Sequence, residues 1–147
     1  MPSLKIFLDA SVVLSGLASF TGGSRKILEA AKDNKIKLLT TPLIIQEVIN
    51  HLQKLDIETS QLETLLSRKT IQLMANPSKE IIEKFSKTVP DPNDAHVLAG
   101  ASLSGAIALI SLDKKHLLTP KVRKILKPML VKSPKEFWGW IRLKIMI

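Results

Sequence analysis

Residues 91–113 run from a proline-flanked aspartate, through an apolar stretch, to a glycine, and then along a short aliphatic run to another aspartate. This order reads as a helix feeding a buried strand. Asp91 suits a helix cap, Pro92 the first turn and Gly105 the end, while 107–112 is short enough to be a strand with Asp113 at its exit. An apolar strand with so little alternation needs cover on both faces, which points to a helix-sheathed parallel sheet. In such folds the carboxyl ends of the strands and the amino ends of the helices share one crevice, where sites are built. This unit carries carboxylates at both of its ends.

The same alternation runs through the rest of the chain. Residues 4–8 suit a strand ending at Asp9, followed by a helix over 10–17, a Thr-Gly-Gly-Ser loop at 21–24 and an amphipathic helix over 25–34. A second strand is expected at 36–39. Thr41 and Pro42 open a helix over 43–55 that sets Ile44, Ile45, Val48, Ile49 and Leu52 on one face and Glu47 at its edge. A helix over 57–66, a strand over 71–74 and a helix over 78–85 precede the central unit. A helix over 117–126, a strand over 129–131 and a final helix from Pro134 follow it. The expected architecture is α/β: a single-domain, three-layer α/β/α sandwich over residues 1–147 with a mainly parallel central sheet.

Composition narrows the functional classes. The 147 residues carry 45% hydrophobic residues, no Tyr and no Cys, which fits an aliphatic core and removes disulfides, thiol nucleophiles and cysteine-ligated zinc. The amino terminus reaches a charge before any signal-like apolar region develops, and no apolar run reaches the roughly 20 residues of a membrane span. A soluble, cytoplasmic protein with no membrane span is expected. Ten Lys or Arg against the single acid Glu136 in residues 114–147 account for the whole net charge of +9. Such a field favours a polyanion, nucleic acid first.

Asp9, Glu47, Asp94 and Asp113 come from four separate elements. Each has a plain structural role open to it: Asp9, Asp91 and Asp113 as helix caps, Asp94 as a first-turn acid, Glu47 as a helix-border residue. Should they converge, four carboxylates would repel one another and raise each other's pKa values unless a divalent cation neutralised them. His51, His96 and His116 are too scattered for a zinc spacing and are read as surface or capping residues, with a substrate contact open to His116.

The ordered motifs Phe-Leu-Asp9-Ala-Ser11, Ile-Ile-Gln-Glu47-Val-Ile, Pro-Asp91-Pro-Asn-Asp94-Ala-His, Ile-Ser111-Leu-Asp113 and Ser133-Pro-Lys-Glu-Phe-Trp resemble the PIN-domain nucleases, the fold of VapC-type toxins. The resemblance spans nearly the whole chain. It implies a Mg²⁺- or Mn²⁺-dependent ribonuclease acting on single-stranded RNA, in which Asp9, Glu47, Asp94 and Asp113 are the catalytic metal ligands. Ser11 and Ser111 become supporting hydroxyls, and Asp91 a cap or outer residue. Ser11 and Ser111 depart from the commoner Asn and Thr of relatives but keep a hydroxyl beside the acid. Lys114, Lys115, Lys121, Arg123, Lys124 and Lys127 are candidate contacts to the RNA backbone.

Hydrolysis of a phosphodiester by an oxygen-ligated cation needs no side-chain nucleophile, which suits this residue set. A haloacid-dehalogenase-type phosphotransferase would need a second Asp two positions after Asp9, where this chain has Ser11. A non-catalytic RNA-binding relative would be expected to have lost part of the acidic set, and all four acids are present. A toxin paired with an antitoxin protein and a solitary RNA-processing nuclease both remain open. The tail over 137–147 holds two Trp and several aliphatic residues, more apolar surface than a terminal helix easily buries on its own sheet, so a homodimer or partner contact is expected there.

Overall fold

The computed structural model describes residues 4–146, with side chains as far as Leu143. Five strands, β1 (Leu4–Leu8), β2 (Ile36–Thr40), β3 (Ile71–Leu73), β4 (Ala108–Ile110) and β5 (Leu130–Lys132), form one sheet in the order β3-β2-β1-β4-β5. Every pairing is parallel. The helices are α1 (Ala10–Ala18), α2 (Gly23–Lys32), α3 (Pro42–Lys54), α4 (Ser60–Ser67), α5 (Lys79–Phe85), α6 (Ala95–Ser104), α7 (Pro120–Leu126) and α8 (Pro134–Met146), with a 3₁₀ turn at Pro92–Asp94 before α6.

The strand order fixes where the layers lie. From β1 the chain winds outward to β2 and β3, then crosses back to β4 on the other side of β1. Right-handed crossovers therefore put the helices linking β1, β2 and β3 on one face and those around β4 on the other. Buried on both sides, β1 is the centre of the core: Ile6, Phe7 and Leu8 are each fully buried. Leu38, Leu98, Ala108, Leu109 and Ile110 join them in one continuous apolar cluster. At Gly100, a Cβ would stand 2.9 Å from Phe7 Cζ and 3.1 Å from Thr41 Cγ2. Only the missing side chain lets α6 approach β1 and the start of α3 so closely.

The caps follow local chemistry. Asp9, Thr41, Ser78 and Thr119 each accept a backbone N–H three residues on, opening α1, α3, α5 and α7. Gly105 ends α6 in the left-handed region at φ 70°, where glycine carries no Cβ penalty.

Several boundaries differ from the sequence reading. The helix expected over 57–66 starts only at Ser60, because Asp56 takes a left-handed φ of 54° and Ile57 N donates to the Leu52 carbonyl, so this stretch closes α3. Gly23 and Ser24 belong to α2 rather than to a loop, and the helix expected from residue 117 begins at Pro120 behind its Thr119 cap. The strand expected over 107–112 is regular only at Ala108–Ile110; Ser111 N still donates to the Lys132 carbonyl, and the chain leaves the sheet at Leu112, whose N–H turns to Ser11 Oγ.

The tail also differs from expectation over its first half. Phe137 is fully buried, and Trp138, Trp140 and Ile141 pack against the core. Trp138 Nε1 donates to the Gly23 carbonyl at 3.0 Å, docking α8 on α2. Leu143 is 64% exposed, so the tail's free apolar surface starts there. The side chains of Ile145, Met146 and Ile147, also counted in the tail's apolar surface, lie outside the described residues.

Candidate active site

The topological switch point of this sheet lies between β1 and β4, whose connections leave in opposite directions; in open α/β sheets the ligand crevice forms at the carboxyl ends of such strands. Asp9 directly follows β1 there, and Ser111 directly follows β4. Asp9 is 5% exposed and Ser111 fully buried. Two hydroxyls tie the strand ends together. Ser11 Oγ donates to Asp9 Oδ1 at 2.6 Å and accepts from Leu112 N at 3.0 Å. Ser111 Oγ donates to Asp9 Oδ2 at 2.6 Å and accepts from Asp113 N at 3.0 Å. Both supporting hydroxyls expected from the sequence thus lie on one carboxylate, and each also holds a backbone N–H of the 111–113 segment.

Asp113 is fixed by its own turn. Its Oδ1 accepts from Lys115 N at 3.1 Å and His116 N at 3.0 Å, which leaves Oδ2 directed elsewhere. That oxygen lies 3.2 Å from His116 Nδ1, and the same nitrogen lies 3.0 Å from Asp94 Oδ2. Asp94 arrives from the opposite direction, at the junction of the 3₁₀ turn and α6, while Asp91 caps that turn by accepting from Asn93 N at 2.9 Å. On the far side, Glu47 projects from α3, and its Oε1 meets His96 Nε2 at 2.5 Å.

Electrostatics couples several of these groups. Burial pushes the Asp9 carboxyl up to about 6, against the opposing pull of hydrogen bonds from Ser11, Ser111 and Val12 N and with a further push from Asp113. The Asp94 carboxyl is also raised. Burial is the main cause there, His116 opposes it, and Asp113, Asp91 and Glu47 each add repulsion. Asp9 thus senses Asp113, and Asp94 senses both Asp113 and Glu47, so the four acids share one field.

Asp94 Oδ2 is buried yet has no hydrogen-bond donor, because His116 Nδ1 lies within ion-pair reach but off the hydrogen-bond direction. An orphaned carboxylate oxygen inside an acidic cluster is the environment a hard cation relieves. Ligand atoms of Asp94, Asp113 and His116 all lie within 4.8 Å of one another. The donor set fits a divalent ion.

The two histidines at this site had no role as metal or acid partners in the sequence reading, because their spacing matches no zinc pattern. The usable signal was local. An aspartate that caps its own turn draws the residue three positions on back over its carboxylate, which is the relation of Asp113 to His116. His96 follows Asp94 by two positions in the first turn of the helix that faces α3.

The basic residues divide. Lys114, Lys115, Lys124 and Lys127 are exposed. Lys121 Nζ donates to the Lys87 carbonyl at 3.0 Å, and Arg123 bonds both the Val131 carbonyl at 3.2 Å and Glu136. The larger hollows of the surface lie away from the acids. One, of about 510 Å³, is lined by Arg25, Asn34, Arg68 and Thr70 toward the amino ends of the strands, whereas Asp9 and the 111–113 segment lie at the carboxyl ends of β1 and β4.

The PIN domain family profile matches residues 5–115, from β1 through the turn after Asp113. The chain belongs to the PIN domain family. No curated protein matches it. PIN domains are in general nucleases that use divalent metal ions and act on RNA, and the matched span contains all four acids of the cleft. Among the described residues, no helix is long and apolar enough to cross a membrane.

Proposed function

We propose that this chain is a divalent-metal-dependent endoribonuclease that hydrolyses phosphodiester bonds of single-stranded RNA, with Asp9, Glu47, Asp94 and Asp113 holding Mg²⁺ or Mn²⁺. The observation that carries this reading is the grouping of ligand atoms of Asp94, Asp113 and His116 within 4.8 Å at the switch point of the sheet, with buried Asp9 tied to the same segment through Ser111 and with Asp94 Oδ2 lacking any donor. When bound, the cation supplies the Lewis acidity that phosphodiester hydrolysis requires.

The chain's own residues supply placement and charge. Ser11 and Ser111 hold the Asp9 carboxylate in one orientation through both of its oxygens. His96 fixes Glu47 by a contact to Oε1, which leaves Oε2 for other work. Exposed Lys114 and Lys115 beside the cleft attract the RNA backbone toward it, with Lys124 and Lys127 extending the basic surface. Lys121 and Arg123 contribute field, although their hydrogen bonds are spent within the fold. Asp91 serves by capping the turn that presents Asp94.

The toxin of a toxin–antitoxin pair is the finer form of this reading, supported by the VapC-like order of motifs. In that form an antitoxin protein covers the cleft and the nuclease works as a homodimer. A neighbouring reading frame for a small DNA-binding protein would favour it over a solitary RNA-processing nuclease.

Product chemistry tests the nuclease. Metal-assisted hydrolysis expels the 3′-oxygen, so fragments of an end-labelled RNA should carry a 5′-phosphate and a 3′-hydroxyl. Fragments ending in a 2′,3′-cyclic phosphate would show attack by the RNA's own 2′-hydroxyl and overturn the reading.

A further inference from the structure

The geometry points to His116 as a nitrogen ligand of the cleft's metal, giving a mixed oxygen and nitrogen donor set that selects Mn²⁺ over Mg²⁺. This inference rests on the metal-nuclease reading above and adds a ligand that the four acids do not include. His116 lies one residue beyond the span matched by the PIN domain family profile, so the family match does not itself speak for it.

Three observations carry the inference. Nδ1 of His116 stands 3.0 Å from Asp94 Oδ2 and 3.2 Å from Asp113 Oδ2. Two ligand atoms at right angles around an ion at about 2.1 Å are themselves about 3.0 Å apart, so these separations are those of adjacent positions in one coordination shell. Next, the contact to Asp94 is not a hydrogen bond, since Asp94 Oδ2 has no donor. An ion shared by the two atoms would lie off the line joining them, which agrees with a close approach that is not a hydrogen bond.

Finally, the imidazole is held in place by backbone. His116 N donates to Asp113 Oδ1 at 3.0 Å, Leu117 N and Leu118 N both donate to the Asp113 carbonyl, and Leu117 is anchored at 2% exposure. Asp113 and His116 therefore come as one rigid chelating turn. His96 does not take part in this way, because its Nε2 is committed to Glu47 Oε1.

The donor chemistry sets the preference. Mg²⁺ favours oxygen ligands and gives up its waters reluctantly, whereas imidazole suits transition ions, whose affinity for nitrogen-containing sites exceeds that of Mg²⁺. Neutral His116 would bind through the Nδ1 lone pair and keep its proton on Nε2.

The test uses the full chain with Mn²⁺ alone and Mg²⁺ alone as probes. Pulsed electron paramagnetic resonance of the Mn²⁺ complex should show ¹⁴N modulation from a directly bound imidazole, present in the wild type and in His96→Gln and lost in His116→Ala. Calorimetric titration should show the Mn²⁺-to-Mg²⁺ affinity ratio falling at least tenfold in His116→Ala. Mn²⁺ bound with no ¹⁴N modulation in the wild type would overturn the proposal while leaving the metal site standing, and that arm needs no variant to fold. Modulation that survives His116→Ala, or an unchanged affinity ratio, would overturn it equally. If the wild type bound neither ion, the metal-nuclease reading itself would fall and take this inference with it.

Discussion

Asp9 concentrates the physics of this protein in one side chain. A carboxylate 5% exposed, with its carboxyl pushed to about 6 against the ordinary 3.8, is held more readily as the acid than as the anion. Its folded-state pKa is raised, so the folded state binds the extra proton between about 3.8 and 6, and stability falls as pH rises through that window. A shift of this size corresponds to roughly 3 kcal/mol as an upper bound. In EDTA, Asp9→Asn should therefore be more stable than the wild type by about 1–3 kcal/mol at pH 7.5, and the gap should close toward pH 4. Urea titrations at both values measure this. An Asn variant that unfolds would contradict the relief of burial strain, since Asn caps a helix as well as Asp does. In saturating Mn²⁺ the order should reverse, because the cation stabilises only the carboxylate form. The acids were legible at this scale because Asp9, Asp94 and Asp113 stand at recognisable ends of strands and helices and Glu47 stands at the edge of an amphipathic helix face. His96 was not, since its partner comes from geometry, Glu47 lying forty-nine positions away, whereas the link of His116 to Asp113 is local.

At the scale of elements, the close approach of α6 to β1 sets where Asp94 stands relative to Asp9. Gly100→Ala would place a methyl 2.9 Å from the fully buried ring of Phe7. Helix propensity favours Ala by about 1 kcal/mol, but overpacking a rigid core costs about 1–3 kcal/mol, so we expect a net loss of up to about 2 kcal/mol in chemical denaturation. A stabilised variant would mean that α6 can shift freely on the sheet. The order and type of the elements could be read from alternating apolar runs and from Thr41-Pro42 and Asp91-Pro92. Ends were harder. Ile57 fits the apolar pattern of the next helix but spends its N–H on the Leu52 carbonyl, and Leu112 looks like strand until its N–H turns to Ser11 Oγ. The aromatic start of α8 was misread as free surface because its partner is Gly23, a long-range contact that local pattern cannot reveal.

For the molecule as a whole, charge and association make separate predictions. If Lys114 and Lys115 contact RNA phosphates, replacing both with Gln should reduce the salt-dependence slope of RNA affinity by roughly 1.4, about 0.7 for each contact on a single strand. An unchanged slope in fluorescence-anisotropy titrations would show that they only face solvent. Neutralising Arg123 would confuse the test, since it also removes the bonds to Val131 and Glu136. The proposed homodimer predicts that truncation after Ile141 halves the mass seen by light scattering. That cut spares buried Phe137 while removing exposed Leu143 and the residues beyond it. A dimer that survives truncation would clear the tail of that role.

The central claim is that one acidic cleft at the end of β1 and β4 performs metal-dependent hydrolysis, and the most direct measurement is cleavage of a labelled single-stranded RNA by the purified chain with Mn²⁺ and again with excess EDTA. The account predicts cleavage with the ion, none above background with the chelator, and a loss of at least about 10²-fold in Asp9→Asn with the ion restored. Cleavage at full rate in EDTA, or an Asp9→Asn protein as active as the wild type, would contradict it.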